Sequence, residues 1–164
     1  MPLQLKIPVT MMPAMNRHGI AADILTDRAR AISQNPAKEV VILVAHGPNP
    51  EDDNAKWLAD LAALADLLKP RTSYSRIEYL TVRDDASEEV RAKAKVELRG
   101  LVEKAGTEGK RALVVPVLLS YGGIELGIKK RLEGLEYTMA TQGLLPDARL
   151  ANWVIESVRT ASAK

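Results

Sequence analysis

Two short apolar runs, 40–45 and 112–119, are the strongest features of the hydrophobic pattern along the chain. Continuous runs of this length that are rich in β-branched residues are typical of strands buried on both faces at the centre of a parallel sheet. The pattern therefore predicts two central strands, the first of them over 39–45. In the second run Pro116 removes one amide donor from the predicted hydrogen-bond ladder.

Segments with apolar residues three to four positions apart surround these runs and predict amphipathic helices. The predicted helices are 20–32, 52–68, a long helix from Ser87 to Gly106, 124–132 and 150–158. Three further strands are predicted at 3–12, 77–82 and 137–141. Pro8 lies inside the first of these and favours an edge position.

The alternation of strands with helices predicts an α/β fold: a doubly wound, mainly parallel sheet flanked by helices. A short internal echo adds to this picture, because 10–12 with 20–25 resembles 138–140 with 150–155. Each half of the echo is a strand, a polar turn and a helix. We therefore predict that 1–36 is a strand–helix unit like the tail of a preceding repeat. Residues 37–164 form one complete repeat, and the two are packed as one domain.

Composition excludes several classes of function. The chain has no cysteine, which rules out disulfides, thiolate metal sites and a cysteine nucleophile. A formal net charge of +2, with no basic run interleaved with aromatic residues, gives no indication of nucleic-acid binding. No segment is long and apolar enough to suggest a membrane span, and 1–6 do not resemble a secretory signal. We expect a cytoplasmic protein.

Candidate chemistry lies in the two turns that follow the central strands. The first turn carries His46, and the second runs from Ser120 to Glu125. In open α/β sheets, ligands bind beyond the carboxyl ends of the strands, near the point where the strand order reverses. Each turn also leads into a helix N-terminus, which favours anions. His46 and Glu125 are therefore predicted to face one cleft. An imidazole with a carboxylate suits cobalt, iron or nickel but selects none of them.

Structural explanations stand beside each of these assignments. A lone histidine after a strand is commonly a turn residue bonded to backbone, and Glu125 near a helix N-terminus is commonly a surface charge favoured by the dipole. Gly122-Gly123 is also explained by close packing of a helix on a strand. The group Arg83-Asp84-Asp85 is either a solvated turn or a substrate clamp. His18 lies in a polar turn and is interpreted as structural.

Four blocks, 41–47, 112–123, 128–132 and 143–147, carry a resemblance to a known family. In this order and spacing they resemble the class II tetrapyrrole metal chelatases, and among them the sirohydrochlorin cobaltochelatases (CbiX-type) and ferrochelatases. The resemblance covers about 39–160. The echo at the start of the chain resembles the tandem members of the family, of which this chain would be the second repeat.

The resemblance implies a flavodoxin-like, chelatase-like topology and an enzyme that inserts a divalent metal into a tetrapyrrole without ATP or an organic cofactor. The metal is cobalt or iron, with nickel as a further candidate. His46 would bind the incoming metal or accept pyrrole N–H protons, with Glu125 as the second catalytic and metal-site residue. The implied substrate-binding residues are Arg83, Ser120, Tyr121, Gly122 and Gly123. The resemblance also implies a homodimer, with no nucleic-acid or membrane partner.

The chain departs from the family at one important position. Ile124 stands where the family has a second histidine, and a shift of one residue to Glu125 turns the side chain by about 100° around a helix. A non-catalytic tetrapyrrole- or metal-binding protein, a degenerate chelatase, is therefore an alternative. A further alternative is a histidine-phosphatase-like enzyme, because Arg17-His18-Gly19 and 44–47 resemble the two histidine turns of that family. Its arginine partners are absent from recognisable places.

Overall fold

The part of the chain described by this computed structural model, residue 7 and residues 9–162, is built around a four-stranded parallel sheet. The strands are β1 (Glu39–Ala45), β2 (Arg76–Thr81), β3 (Arg111–Pro116) and β4 (Thr138–Met139), in the order β2-β1-β3-β4. The α-helices are α1 (Gly19–Ile32), α2 (Glu51–Leu68), α3 (Glu88–Thr107), α4 (Ile124–Arg131) and α5 (Ala148–Ser162). Within the described residues, no helix combines the length and apolar character needed to cross a membrane.

Strand β1 is buried along its whole length, as the continuous apolar run predicts. Val41, Leu43 and Ala45 join an apolar cluster with side chains of α1 and α2. The alternate residues Val40, Ile42 and Val44 join a second cluster with side chains of α3 and α4. Each fully buried Val, Leu or Ile side chain contributes about 1.5–3 kcal/mol of transfer free energy. The helices therefore cover both faces of the sheet, and the predicted doubly wound α/β fold is confirmed.

The strand order reverses between β1 and β3. From β1 the chain crosses to β2 on one side, and then returns to β3 on the other side. The pairing of these strands continues past Pro116, because the Val117 amide donates to the Val44 carbonyl at 2.8 Å. The carboxyl ends of β1 and β3 are consequently neighbours at one edge of the sheet, where open α/β sheets bind their ligands.

Most predicted elements agree with the structure to within a few residues, but two strands are shorter than predicted. The strand predicted over 112–119 ends at Pro116, although the Val117 amide adds one more hydrogen bond to β1. The strand predicted over 137–141 has only two residues. The long helix runs to Thr107, one residue beyond Gly106, and Ser87 caps it as predicted by accepting the Val90 amide hydrogen.

The prediction of a strand over 3–12 is wrong for the residues that the structure describes. Residues 3–6 and 8 lie outside the described part of the chain, whereas 9–12 form no strand. Pro8 and Pro13 have no amide hydrogen, and the side chains of 9–12 are exposed, so neither a ladder nor burial favours a strand there. The predicted division into a unit over 1–36 and a repeat over 37–164 stays a prediction. Ile24 and Leu25 of α1, which precede the division, are fully buried in the same apolar cluster as residues of β1.

A buried carboxylate anchors the start of β1. Glu39 accepts hydrogen bonds from the Ser33 hydroxyl and from the backbone amides of Gln34 and Asn35, and it pairs with Arg111 at 3.1 Å. Burial alone raises the pKa of Glu39, but these hydrogen bonds and the arginine charge outweigh it and leave the pKa lowered. The chain between α1 and β1 is thereby tied to the end of the sheet opposite the candidate turns.

Ionic contacts hold the segment before α5 against α1. Arg28 of α1 donates to the Gly143 carbonyl at 2.8 Å and to the Pro146 carbonyl at 3.1 Å. Asp147 accepts two side-chain hydrogen bonds from Arg149, at 2.9 and 2.7 Å, and lies 3.8 Å from Arg28. Despite some desolvation, these hydrogen bonds and positive charges lower the pKa of Asp147 from 3.8 to about 2.

Replacing this carboxylate should therefore have a pH-dependent effect on stability. At pH 7 we expect Asp147→Asn to lower the free energy of unfolding by about 1–2 kcal/mol, because only the folded state holds the charge in this pairing. The difference should shrink as the pH falls from about 4 toward about 2, because the carboxyl is then protonated in the unfolded state and becomes protonated in the folded state as well. Urea unfolding at pH 7, 4 and 2.5 measures this, with the exposed Asp66→Asn as control. A loss that is equal at all pH values would contradict the assignment.

Candidate functional site

The candidate site lies at the edge of the sheet where β1 and β3 end. The chain leaves β1 through His46, Gly47 and Pro48 and then enters α2. It leaves β3 through an irregular segment that contains the exposed residues from Ser120 to Gly123, and then enters α4. Both sequence-predicted turns therefore lie at the reversal of strand order. This agrees with the location expected from the pattern of apolar runs.

His46 is the titratable side chain that directly follows the central strand. Its side chain is 29% exposed, and its Nε2 lies 3.3 Å from Oδ2 of Asp85, which is 73% exposed. Asp85 belongs to the segment after β2, which is the neighbour of β1 in the sheet. The imidazole thus reaches solvent beside a carboxylate, an arrangement that suits proton transfer or metal binding.

Gly47 allows the loop after β1 to lie directly against the end of β2. Its φ is +76°, and a Cβ added to it would lie 2.4 Å from the Cβ of Thr81. The Thr81 hydroxyl is held in turn by a 2.7 Å hydrogen bond to the buried Asn54 side chain. A glycine at this position is therefore required both by the left-handed backbone and by the close approach of β2.

Arg83 holds the same loop from the other side. The residue is only 7% exposed, and its backbone has a φ of +53°. Its guanidinium donates to the Pro48 carbonyl at 3.1 Å and to the Asn49 carbonyl at 2.6 Å, and it pairs with Glu51 at 2.6 Å. Its amide also donates to the His46 carbonyl. The observed contacts of Arg83 are structural, and its role in substrate binding stays a prediction.

The second turn combines exposed backbone with a partly covered tyrosine. Tyr121 is 40% exposed, and its hydroxyl donates to the Ala140 carbonyl at 3.0 Å. Burial, followed by the charge of Glu125, raises the pKa of the Tyr121 hydroxyl. Ser120, Gly122 and Gly123 are exposed at this edge of the sheet. The predicted substrate contacts of these four residues stay predictions.

Glu125 is buried rather than exposed. The residue is 1% exposed, and its Oε2 accepts a 2.7 Å hydrogen bond from the Gly122 amide. Its Oε1 is buried and has no hydrogen-bond partner within the described part of the chain. The interpretation of Glu125 as a surface charge is therefore wrong. The carboxylate instead braces the glycine turn from inside the first turn of α4.

The structure brings His46 together with Asp85, and Glu125 together with Gly122. A common metal site of His46 and Glu125 stays a prediction. Across 9–162, no group of three or more His, Asp or Glu side chains is arranged to hold a metal ion. The partner that sequence reasoning missed is Asp85. No pattern along the chain indicated this contact, because it depends on β2 lying beside β1, which brings the two following loops together.

Position 124 and the first histidine turn also have structural roles. Ile124 packs against the apolar cluster on the α3 and α4 side of the sheet. His18 accepts the Ile20 amide hydrogen on Nδ1 at 3.2 Å and so caps α1, as expected for a structural histidine. Its ring also meets Trp153 of α5 edge-on, with 6.1 Å between the ring centroids. Arg17 beside it forms an ion pair with Asp60.

Comparison with solved structures identifies the fold as one shared with chelatases. SirB from Bacillus subtilis, solved with Fe3+, matches 90% of this chain with a TM-score of 0.65 and 16% sequence identity. DR2241 from Deinococcus radiodurans, a multi-domain protein described as structurally similar to chelatases, matches 86% with a TM-score of 0.55 and 17% identity. The chain spans 56% of SirB and 29% of DR2241. No family model matches the chain, and no curated protein matches its sequence.

The close approach at Gly47 makes a stability prediction. We expect Gly47→Ala to lower the free energy of unfolding by about 2–4 kcal/mol, because the methyl group meets Thr81 and the backbone is left-handed. Gly109→Ala is the matched control: its φ is +68°, but nothing lies within 4 Å of an added Cβ. That variant should lose only about 1 kcal/mol. Chemical denaturation measures both, and equal losses would show that contact with β2 does not restrict the loop.

Proposed function

We propose that this chain acts in ATP-independent insertion of a divalent metal into a tetrapyrrole. The observation that carries the proposal is His46, which is partly exposed and in contact with Asp85 at the strand reversal of a chelatase-type sheet. The four sequence blocks that resemble the sirohydrochlorin chelatases support it, because two of them end in the turns of this edge. A cytoplasmic homodimer, predicted from the sequence, belongs to the same proposal.

The chemistry of insertion explains why an imidazole would be useful here. Pyrrole N–H protons must leave the macrocycle as the metal enters, so a base with an ordinary pKa near neutrality is required. In this proposal Nε2 of His46 accepts a proton, and the nearby Asp85 carboxylate stabilises the imidazolium that forms. Because Asp85 is largely exposed, the proton can then pass to water.

Metal delivery would use the same group of side chains. Imidazole and carboxylate ligands together suit borderline divalent metals, and cobalt and iron are the candidates, followed by nickel. The structure of SirB, which has the same type of fold, was solved with Fe3+, and this supports iron among the candidates. Glu125 has a buried oxygen without a partner among the described residues, which a cation would satisfy. Direct coordination would use this Oε1 oxygen, while Oε2 keeps its hydrogen bond to the Gly122 amide.

A binding function without catalysis is the second candidate, and one observation favours it. The second histidine of the family is replaced by Ile124, whose side chain packs into the apolar cluster and supplies no ligand. A protein of this kind would bind the macrocycle or the metal but would not accelerate insertion. The phosphatase alternative has less support, because Arg17 is paired with Asp60 and His18 caps α1.

Insertion can be followed directly by absorbance. Purified protein is mixed with sirohydrochlorin and Co²⁺ or Fe²⁺ under anaerobic conditions, against a control without protein. We expect the wild type to accelerate insertion and His46→Ala to lose at least about 100-fold of the rate, because the base is removed. The melting temperature should stay nearly unchanged, since the histidine side chain is partly exposed.

The matched control is the other histidine of the chain. His18→Asn keeps a capping side chain on α1 and should leave the insertion rate within about twofold of the wild type. Equal rates for His46→Ala and the wild type would overturn the role of His46. A wild type that binds sirohydrochlorin, measured by fluorescence quenching, but inserts metal at the background rate would establish the non-catalytic alternative.

A further inference from the structure

A cleft of about 490 Å3 lies between α3 and α4, separate from the loop that carries His46. Its walls carry four cationic side chains, namely Arg91 and Lys95 from α3 and Lys130 and Arg131 from α4, together with the acidic Asp84 and Glu88. Positive charge therefore dominates the lining. A concave surface of this kind concentrates anions, since the low-dielectric walls focus the field.

Three of these cations have no partner among residues 9–162. Arg131 is used structurally, because it forms an ion pair with Asp84 and donates to the Val82 carbonyl at 3.0 Å. The side chains of Arg91, Lys95 and Lys130 form no hydrogen bond or ion pair with any residue of 9–162. By contrast, Lys93 on the same helix pairs with Glu89 at 2.7 Å. The cleft thus holds positive charge that the described part of the protein does not neutralise.

The loop after β2 connects this cleft to the candidate site. Asp84 lines the cleft through its contact with Arg131, and the next residue, Asp85, contacts His46. Consecutive Cα atoms are only 3.8 Å apart, so the cleft opens one residue step away from the residue that contacts the imidazole. Gly127 of α4 keeps the wall close, because a Cβ on it would lie 3.3 Å from Oδ2 of Asp84. The cleft and the candidate site are therefore joined by two consecutive residues of one loop.

We infer that the cleft between α3 and α4 binds carboxylate groups, and that it receives the anionic periphery of a polycarboxylate macrocycle whose centre lies at His46. The identity of the ligand rests on the proposed function. Charge-assisted contacts from arginine and lysine would favour macrocycles with many peripheral carboxylates over those with few. The cleft would thereby set specificity, while His46 serves the reaction itself.

The test uses the intact chain and metal-free porphyrins. The cleft variant is Arg91→Gln with Lys130→Gln, one change on each wall, and both side chains are exposed and unbonded, so folding is preserved. The matched control is Lys93→Gln with Lys129→Gln, which removes the same charge from the same two helices outside the cleft. The dissociation constant of uroporphyrin, whose periphery is rich in carboxylates, is measured by fluorescence at several salt concentrations.

We expect the cleft variant to weaken uroporphyrin binding about tenfold and to reduce its salt dependence, while the control stays within about twofold. Coproporphyrin, which has fewer carboxylates, should bind the wild type more weakly than uroporphyrin does. Its dissociation constant should also change less in the cleft variant. Equal weakening by both double variants, or by neither, would overturn the inference, because the cleft would then have no special role.

A second arm separates this inference from the proposed function. Mellitate, a benzene ring that carries carboxylates, should bind the wild type and bind the cleft variant more weakly, measured directly by isothermal titration calorimetry. If mellitate binding depends on the cleft but uroporphyrin does not bind, the macrocycle assignment is overturned. Because the assay contains no metal, failure of metal insertion leaves the outcome of this binding test unaffected.

Discussion

The burial of β1 on both faces determines where the candidate site lies. Alternate residues of this strand belong to two apolar clusters, and hydrogen bonds to β2 and β3 fix both of its edges. No position from Val40 to Ala45 can carry a charged side chain without losing that burial. His46 is therefore the first position after the strand where an ionisable group reaches solvent, and the strand reversal places it beside the end of β3.

Polar contacts within the protein support this edge before any ligand is considered. The Arg83 guanidinium donates hydrogen bonds to the loop after β1, and the Glu125 carboxylate accepts a hydrogen bond from the turn after β3. Both side chains are buried, and buried charged groups are favourable only when they are bonded or paired. Arg83 and Glu125, predicted from the sequence as a substrate-binding and a metal-site candidate, are thus important to the shape of the site, beside any role they have toward a substrate.

The sequence could predict those parts of the fold that local pattern controls. The central strands, the five helices, the Ser87 cap and the position of His46 follow from apolar periodicity and capping chemistry. The strand predicted over 3–12 is wrong for 9–12, because prolines flank this segment and its side chains are exposed. The contact of Asp85 with His46 and the burial of Glu125 depend on strand order and side-chain direction. A pattern along one chain does not contain either.

Gly47 and Arg83 both hold left-handed backbone, and their neighbours leave them little freedom to move. The conformational entropy of the loop that carries His46 has consequently been lost during folding rather than at the moment of binding. A preorganised loop of this kind favours rigid, planar ligands, because neither the loop nor the ligand loses conformational entropy on binding. A substitution that removes the contacts of Arg83 or Thr81 with this loop would therefore weaken the affinity for a ligand, even though no atom that touches the ligand had changed.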